Sequence, residues 1–200
     1  PAIDAGNDSD NTTLLDLAGN PRKFESILYG QMIDMGAYEY QSSSRPGDPA
    51  VFGNNVWNAY VWRSGGASLP NSSAWNDLYS GYYVENNLSI NTEARWPASG
   101  APSQASGYQG CPVDNDNHSY SYKRKGFPAA YYQLNIDGHD DAAQLWINGT
   151  NVWEHSGCCD AHVNVWAGNL GANDEVEFRV TEGAGGSIGK LSIIQCPTGN

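Results

Sequence analysis

In AYYQLNID, residues 130–137, Tyr132, Leu134 and Ile136 fall on one side of an extended chain, and in DEVEFRVT, residues 174–181, Val176, Phe178 and Val180 do the same. Alternation with period two marks a strand that buries one face. Further short segments of strand character are VFGNNVWNAYVW (51–62), SGYYVENNLSI (80–90), SYSYKR (119–124), AQLWI (143–147), NVWEH (151–155), VNVW (163–166) and KLSIIQ (190–195). In LWINGTNVW, Asn148 and Gly149 supply the positive φ that a two-residue hairpin turn needs. No segment carries a 3.6-residue period. Eight or nine short strands joined by Gly- and Asn-rich turns predict an all-β chain built as an antiparallel β-sandwich.

Charge narrows the partners. Ten basic against 22 acidic residues give a net charge of -12, which repels phosphate backbones and anionic membranes and suits cations or neutral ligands. Nucleic acid is therefore excluded as a partner, and no stretch has the apolar length for membrane insertion. The first residues lack the order of a secretion signal, so the chain reads as a piece of a longer precursor. Seven Trp and twelve Tyr fill a β core and leave ring faces for ligands. Cys111, Cys158, Cys159 and Cys196 fit no zinc spacing and point to disulfides and an exported protein. Either Cys158 and Cys159 bond to each other, or each bridges to one of Cys111 and Cys196.

The span GHDDAAQLWINGTNVWEHSGCCDAH, residues 138–162, holds the chemistry. Asp140 and Asp141 lie between the strand ending at Ile136 and the one starting near Gln144, in an expected loop at one sandwich edge. Such a pair either caps its own turn or holds a divalent cation; calcium takes six to eight oxygens, and Glu182 of TEGAGGSIGKL adds another carboxylate. Around the same edge stand His139, Trp153, His155, Cys158, Cys159, Asp160, His162 and Trp166, a mixture of rings, carboxylates and imidazoles suited to a glycan. The triplet Lys123, Arg124, Lys125 either meets acidic groups of a polysaccharide or is a solvated strand end. No nucleophile elbow, zinc motif, phosphate loop or dinucleotide fingerprint is present, and adjacent aspartates lack the spacing of glycosidase carboxylates.

Two resemblances extend this reading. PAIDAGN, LLDLAGNPR and IDMGAYEYQ within residues 1–41 resemble the last coil and cap of right-handed parallel β-helices in secreted bacterial polysaccharide-active proteins. This implies an N-terminal remnant of a parallel β-helix (1–41), a Ser- and Pro-containing linker (42–49) and a sandwich (50–200). SGYYVEN, the hairpin DDAAQLWINGTNV and the ending EGAGGSIGKLSI resemble the PA14 family over most of residues 80–195. The resemblance implies a carbohydrate-binding module for a polysaccharide or oligosaccharide. In the carbohydrate-binding branches of that family the two aspartates are joined by a cis peptide and hold calcium; Asp140 and Asp141 match those positions, and the second calcium loop maps onto 182–187. Glu182 stands where the family's lectins place an asparagine.

The sequence thus leads to a noncatalytic module, monomeric, secreted or on a bacterial cell surface, that tethers its parent to a glycan. Its sugar site is expected at Asp140, Asp141, His139, Trp153, Cys158, Cys159, Asp160, His162 and Trp166, with calcium on Asp140, Asp141 and Glu182. The next reading is an adhesion or assembly domain for a protein partner; a hydrolase or lyase stands last, with any parent activity assigned to the preceding β-helix.

Overall fold

The computed structural model describes residues 24–26, 30–32, 46–63 and 78–197. The chain divides into two compact units, Pro1–Arg45 and Pro46–Asn200. Within the first, β1 (Phe24–Ser26) pairs antiparallel with β2 (Gly30–Met32); the rest of the expected β-helix remnant lies outside the described residues.

The second unit holds twelve described strands in two sheets. Nine of them are the nine segments read from the sequence: β4 (Trp57–Trp62), β5 (Tyr79–Glu85), β8 (His118–Lys125), β9 (Ala130–Asp140), β10 (Ala143–Ile147), β11 (Thr150–His155), β12 (His162–Leu170), β13 (Val176–Glu182) and β14 (Ile188–Gln195). Three two-residue strands complete the count: β3 (Gly53–Asn54), β6 (Ile90–Asn91) and β7 (Gln109–Gly110). The larger sheet runs β11-β10-β13-β8-β4-β5-β7, with β3 lying parallel beside β8; the smaller runs β12-β9-β14-β6. Every other pairing is antiparallel. Among the described residues helix is limited to two 3-10 turns, Thr92–Ala94 and Pro102–Gln104, and no helix is long and apolar enough to cross a membrane.

Alternation builds the core. Tyr132, Leu134 and Ile136 from the small sheet meet Val176, Phe178 and Val180 from the large one, all fully buried. Rings close the gaps: Trp57 lies edge-on to Tyr122 and Phe127, and Tyr120 edge-on to Trp96. The Asn148-Gly149 hairpin between β10 and β11 has φ of 50° and 75° at its two turn residues.

Two residues of the basic triplet on β8 are not solvated. Lys123 is buried, donates from Nζ to the Pro49 carbonyl at 2.6 Å and lies 4.0 Å from Glu177; burial lowers its pKa. Arg124 falls on the inner row after Tyr120 and Tyr122, and its guanidinium rests over Phe127 and Trp57. Only Lys125 is partly exposed. The residues that cover Lys123 come from 46–52, so the described end of the expected linker packs on the sandwich.

His118 begins β8 and is fully buried. Its Nδ1 faces the Asp114 carbonyl at 3.0 Å and its Nε2 the Ser187 hydroxyl at 2.8 Å. These partners fit a neutral ring that donates from Nδ1 and accepts at Nε2. Burial pushes its pKa from 6.5 down to about 4. The unfolded chain takes up this proton as pH falls through 6.5 while the folded chain does not until about 4, so the stabilisation is complete above 6.5 and drains away towards 4. Replacing His118 by Gln, which does not titrate, is expected to flatten the loss of thermal stability in this window. The difference in pH dependence should be on the order of 3 kcal/mol, at about 1.4 kcal/mol per pKa unit, and is measured by melting both proteins across the range.

Candidate functional site

Three connections between the sheets meet at one end of the sandwich. Residues 141–142 carry the chain from β9 to β10, 156–161 from β11 to β12, and 183–187 from β13 to β14. Because β9 pairs with β14 and β10 with β13, the first and third crossings run beside each other. Hydrogen bonds fasten them: the Asp141 amide donates to the Thr181 carbonyl at 2.5 Å, the Thr181 amide to Ala142 at 2.9 Å, and the Gly183 amide to Asp141 Oδ2 at 2.8 Å.

This geometry corrects the placement of the aspartates. Asp140 is not in a loop; it is the last residue of β9, opposite Ile188. The peptide joining it to Asp141 is cis. One oxygen from each of Asp140, Asp141 and Glu182 lies within 4.8 Å of the others. Glu182 is fully buried at the end of β13, and neither of its carboxylate oxygens has a hydrogen-bond partner. Burial, then the charges of Asp141, Asp140 and Asp116, push its pKa from 4.5 up to about 8. Asp140 is raised by burial and by Asp141. A buried carboxylate without donors is costly. A hard cation answers that cost: two oxygens on one calcium, at about 2.4 Å each, stand no more than about 4.8 Å apart. The donor set therefore fits calcium.

Residues outside the expected set shape this group. An added Cβ at Gly186 would stand 2.8 Å from Asp140 Oδ2, so a side chain there would displace the Asp140 carboxylate. Asp116 accepts from the Gly185 amide at 3.1 Å. His118 and Trp96 both bind Ser187. The glycine run in EGAGGSIGK is the only one of these signals visible in the sequence; the others depend on pairing across 69 to 91 residues.

The second crossing carries the cysteines. Cys158 and Cys159 form a vicinal disulfide with Sγ atoms 2.18 Å apart, while Cys111 and Cys196 are free thiols. Both bonded cysteines are exposed, each Sγ lies within 4.8 Å of an Asp140 carboxylate oxygen, and the Cys159 amide donates to the His139 carbonyl at 2.6 Å. Asp160 is exposed beside them.

His139 is buried, although the count from Tyr132, Leu134 and Ile136 would put it on the outer face. The bulge explains this: Ile136 opposes Leu191 and Gly138 opposes Lys190, so Asp137 is an extra residue and the alternation shifts by one. His139 then faces inward opposite Gly189 and meets Trp153, His155 and His162, with ring centroids 5.6, 5.1 and 5.5 Å away. Burial lowers its pKa, against its hydrogen bond to the Asp141 carbonyl. Trp166 is not brought into this group: it pairs with Leu134 and packs on the core.

No family model and no curated protein matches the chain. Among solved structures it is similar to a PA14 sugar-binding domain from an RTX adhesin, at 12% identity and a TM-score of 0.49 over 72% of this chain and 91% of that one. A PA14 domain of the MpAFP antifreeze protein gives 14%, 0.49, 70% and 82%. A GH31 alpha-xylosidase from Xanthomonas citri gives 9% and 0.43 over 93% of this chain and 15% of that one.

The unpartnered Glu182 generates a test with two opposed readouts. Glu182→Gln removes the buried acid while keeping its shape. In chelator near neutral pH the variant is expected to melt several degrees above wild type, because Glu182 must take up a proton on folding when its pKa rises from 4.5 to about 8, and glutamine carries no such cost. The same variant should lose the upward melting shift that calcium gives wild type.

Proposed function

We propose that this chain is a noncatalytic glycan-binding module whose site is the end of the sandwich bearing Asp140, Asp141, Glu182, Cys158 and Cys159. The observation that carries the reading is Glu182, buried with both oxygens unpartnered against two aspartates, a set of donors that suits a hard cation. Calcium bound there would supply positive charge and open coordination positions for neutral hydroxyl oxygens.

The chain's own residues do the rest. Asp140 and Asp141 are half-exposed, so the group opens to solvent on their side and is closed on the Glu182 side. The disulfide beside Asp140 offers an apolar surface for the C–H face of a sugar ring, next to carboxylates that accept from its hydroxyls. Asp160, exposed on the same crossing, adds an acceptor at the rim. The backbone bonds from Asp141 to Thr181 and from Gly183 to Asp141 hold the group in place before a ligand arrives, which lowers the ordering cost of binding. Residues 1–41 as the end of a secreted bacterial β-helix, joined through residues 42–49, would make this module the tether between a polysaccharide-active parent and its substrate. Catalysis is absent from the proposal because no second carboxylate in the described group stands across an open gap from the first.

The test is titration of the chain with a panel of neutral and acidic polysaccharides, with calcium or with chelator, while assaying for new reducing or unsaturated ends. Saturable binding to at least one glycan is expected, lost in chelator and restored by calcium. Asp140→Asn is expected to weaken it by at least about tenfold, 1.4 kcal/mol or more. Binding to no glycan would overturn the module reading, chelator-insensitive binding would remove the cation from it, and product release would overturn the absence of catalysis.

A further inference from the structure

We propose a second metal site at the same end, chemically distinct from the acidic group: a tetrahedral transition-metal site of the zinc type formed by His139, His155 and His162. It does not rest on the glycan or calcium reading. The chain has four histidines. Three of them, drawn from the end of β9, the end of β11 and the start of β12, each present a ring nitrogen within 4.8 Å of the other two. His155 and His162 have ring centroids 4.7 Å apart.

The nitrogen geometry suits ligation. His139 Nε2 and His162 Nε2 are 3.4 Å apart, at the long limit of a ring-to-ring hydrogen bond. This distance matches the edge of a tetrahedron with zinc–nitrogen bonds of about 2.05 Å, which is about 3.3 Å. His139 Nδ1 lies 2.6 Å from the Asp141 carbonyl oxygen and must donate to it, which leaves the Nε2 lone pair turned towards His162. A backbone carbonyl that fixes the far nitrogen of a ligating imidazole is the usual outer-shell support of a metal-bound histidine. His155 Nδ1 is buried with no hydrogen-bond partner, so one of its nitrogens also lacks a protein acceptor or donor. His155 and His162 are half-exposed at strand ends, and small side-chain rotations close the remaining distance.

The ligand class follows from the donors. Three neutral imidazoles suit zinc, copper, nickel or cobalt(II) rather than calcium, which takes oxygen. Three protein ligands leave the fourth tetrahedral position open, as in zinc sites that bind water or a substrate oxygen. The half-exposed rings of His155 and His162 and the exposed Asp160 place that position towards solvent. Trp153 walls the other side, with its ring 5.0 Å from His162.

The experiment is titration of the intact, unreduced chain with zinc by calorimetry and with cobalt(II) by visible absorption, in saturating calcium. One equivalent is expected to bind, with the absorption of tetrahedral cobalt. In a nitrogen-15 spectrum of the imidazoles, zinc is expected to shift His139, His155 and His162 and to leave His118 in place. His155→Ala and His162→Ala should each weaken zinc at least about tenfold, 1.4 kcal/mol or more, whereas Glu182→Gln should leave it unchanged while losing its calcium response. Absence of saturable zinc binding below a Kd of about 1 mM would overturn the site, as would shifts confined to fewer than three of these rings. Zinc lost in Glu182→Gln but retained in the double variant His155→Ala/His162→Ala would assign the ion to the carboxylates and overturn it equally.

Discussion

Asp141 is the fastening point of the end of the sandwich where the three crossings meet. Its amide donates to Thr181, its side chain accepts from Gly183, and its carbonyl accepts from His139. With these bonds one residue joins the two crossings that pass between the sheets side by side, and orients a buried imidazole on a third side. Each bond is worth about 1 kcal/mol on its own, yet together they fix the Asp141 carboxylate beside the 183–187 crossing and orient the ring of His139. The sheets bring the strand ends near, and the bonds of Asp141 tie the end of β9 to the start of the 183–187 crossing.

The electrostatics run against stability. A chain of net charge -12 that buries Glu182 beside two aspartates works against both desolvation and like-charge repulsion, and the raised pKa of Glu182 expresses that conflict. His118, directly opposite Glu182 on the neighbouring strand, shows the opposite solution: a buried titratable ring with both nitrogens satisfied. The same end of the fold thus satisfies one buried titratable residue and leaves its neighbour without partners.

Much of the architecture was legible because the strands obey one rule. Alternation at Tyr132, Leu134, Ile136 and at Val176, Phe178, Val180, and the Asn148-Gly149 turn, sufficed for an antiparallel sandwich. Legibility ended where the rule breaks. The bulge at Asp137 shifts the inward row by one residue, so His139 is a core-facing side chain that a simple count sends outwards. Lys123 and Arg124 look solvated by residue type, but the Pro49 carbonyl, Glu177 and the rings of Trp57 and Phe127 cover them. Trp166, close in sequence to the cysteines, is carried off by its pairing with Leu134. At the site itself, the sequence could nominate Asp140, Asp141 and Glu182 individually; their approach depends on two crossings 42 residues apart at Asp141 and Gly183.

The acidic and imidazole groups differ in hardness and in exposure, and the fold separates them with very little material. One backbone carbonyl, that of Asp141, lies between the carboxylate of the first group and the ring of the second. Oxygen donors on one side favour a hard ion and nitrogen donors on the other a borderline one, so neither group need exclude the other's ion by size alone. That separator is main chain, and the amide of the same residue is fixed to Thr181. The two groups are joined through the backbone of Asp141 and through the crossing that Cys159 ties to His139.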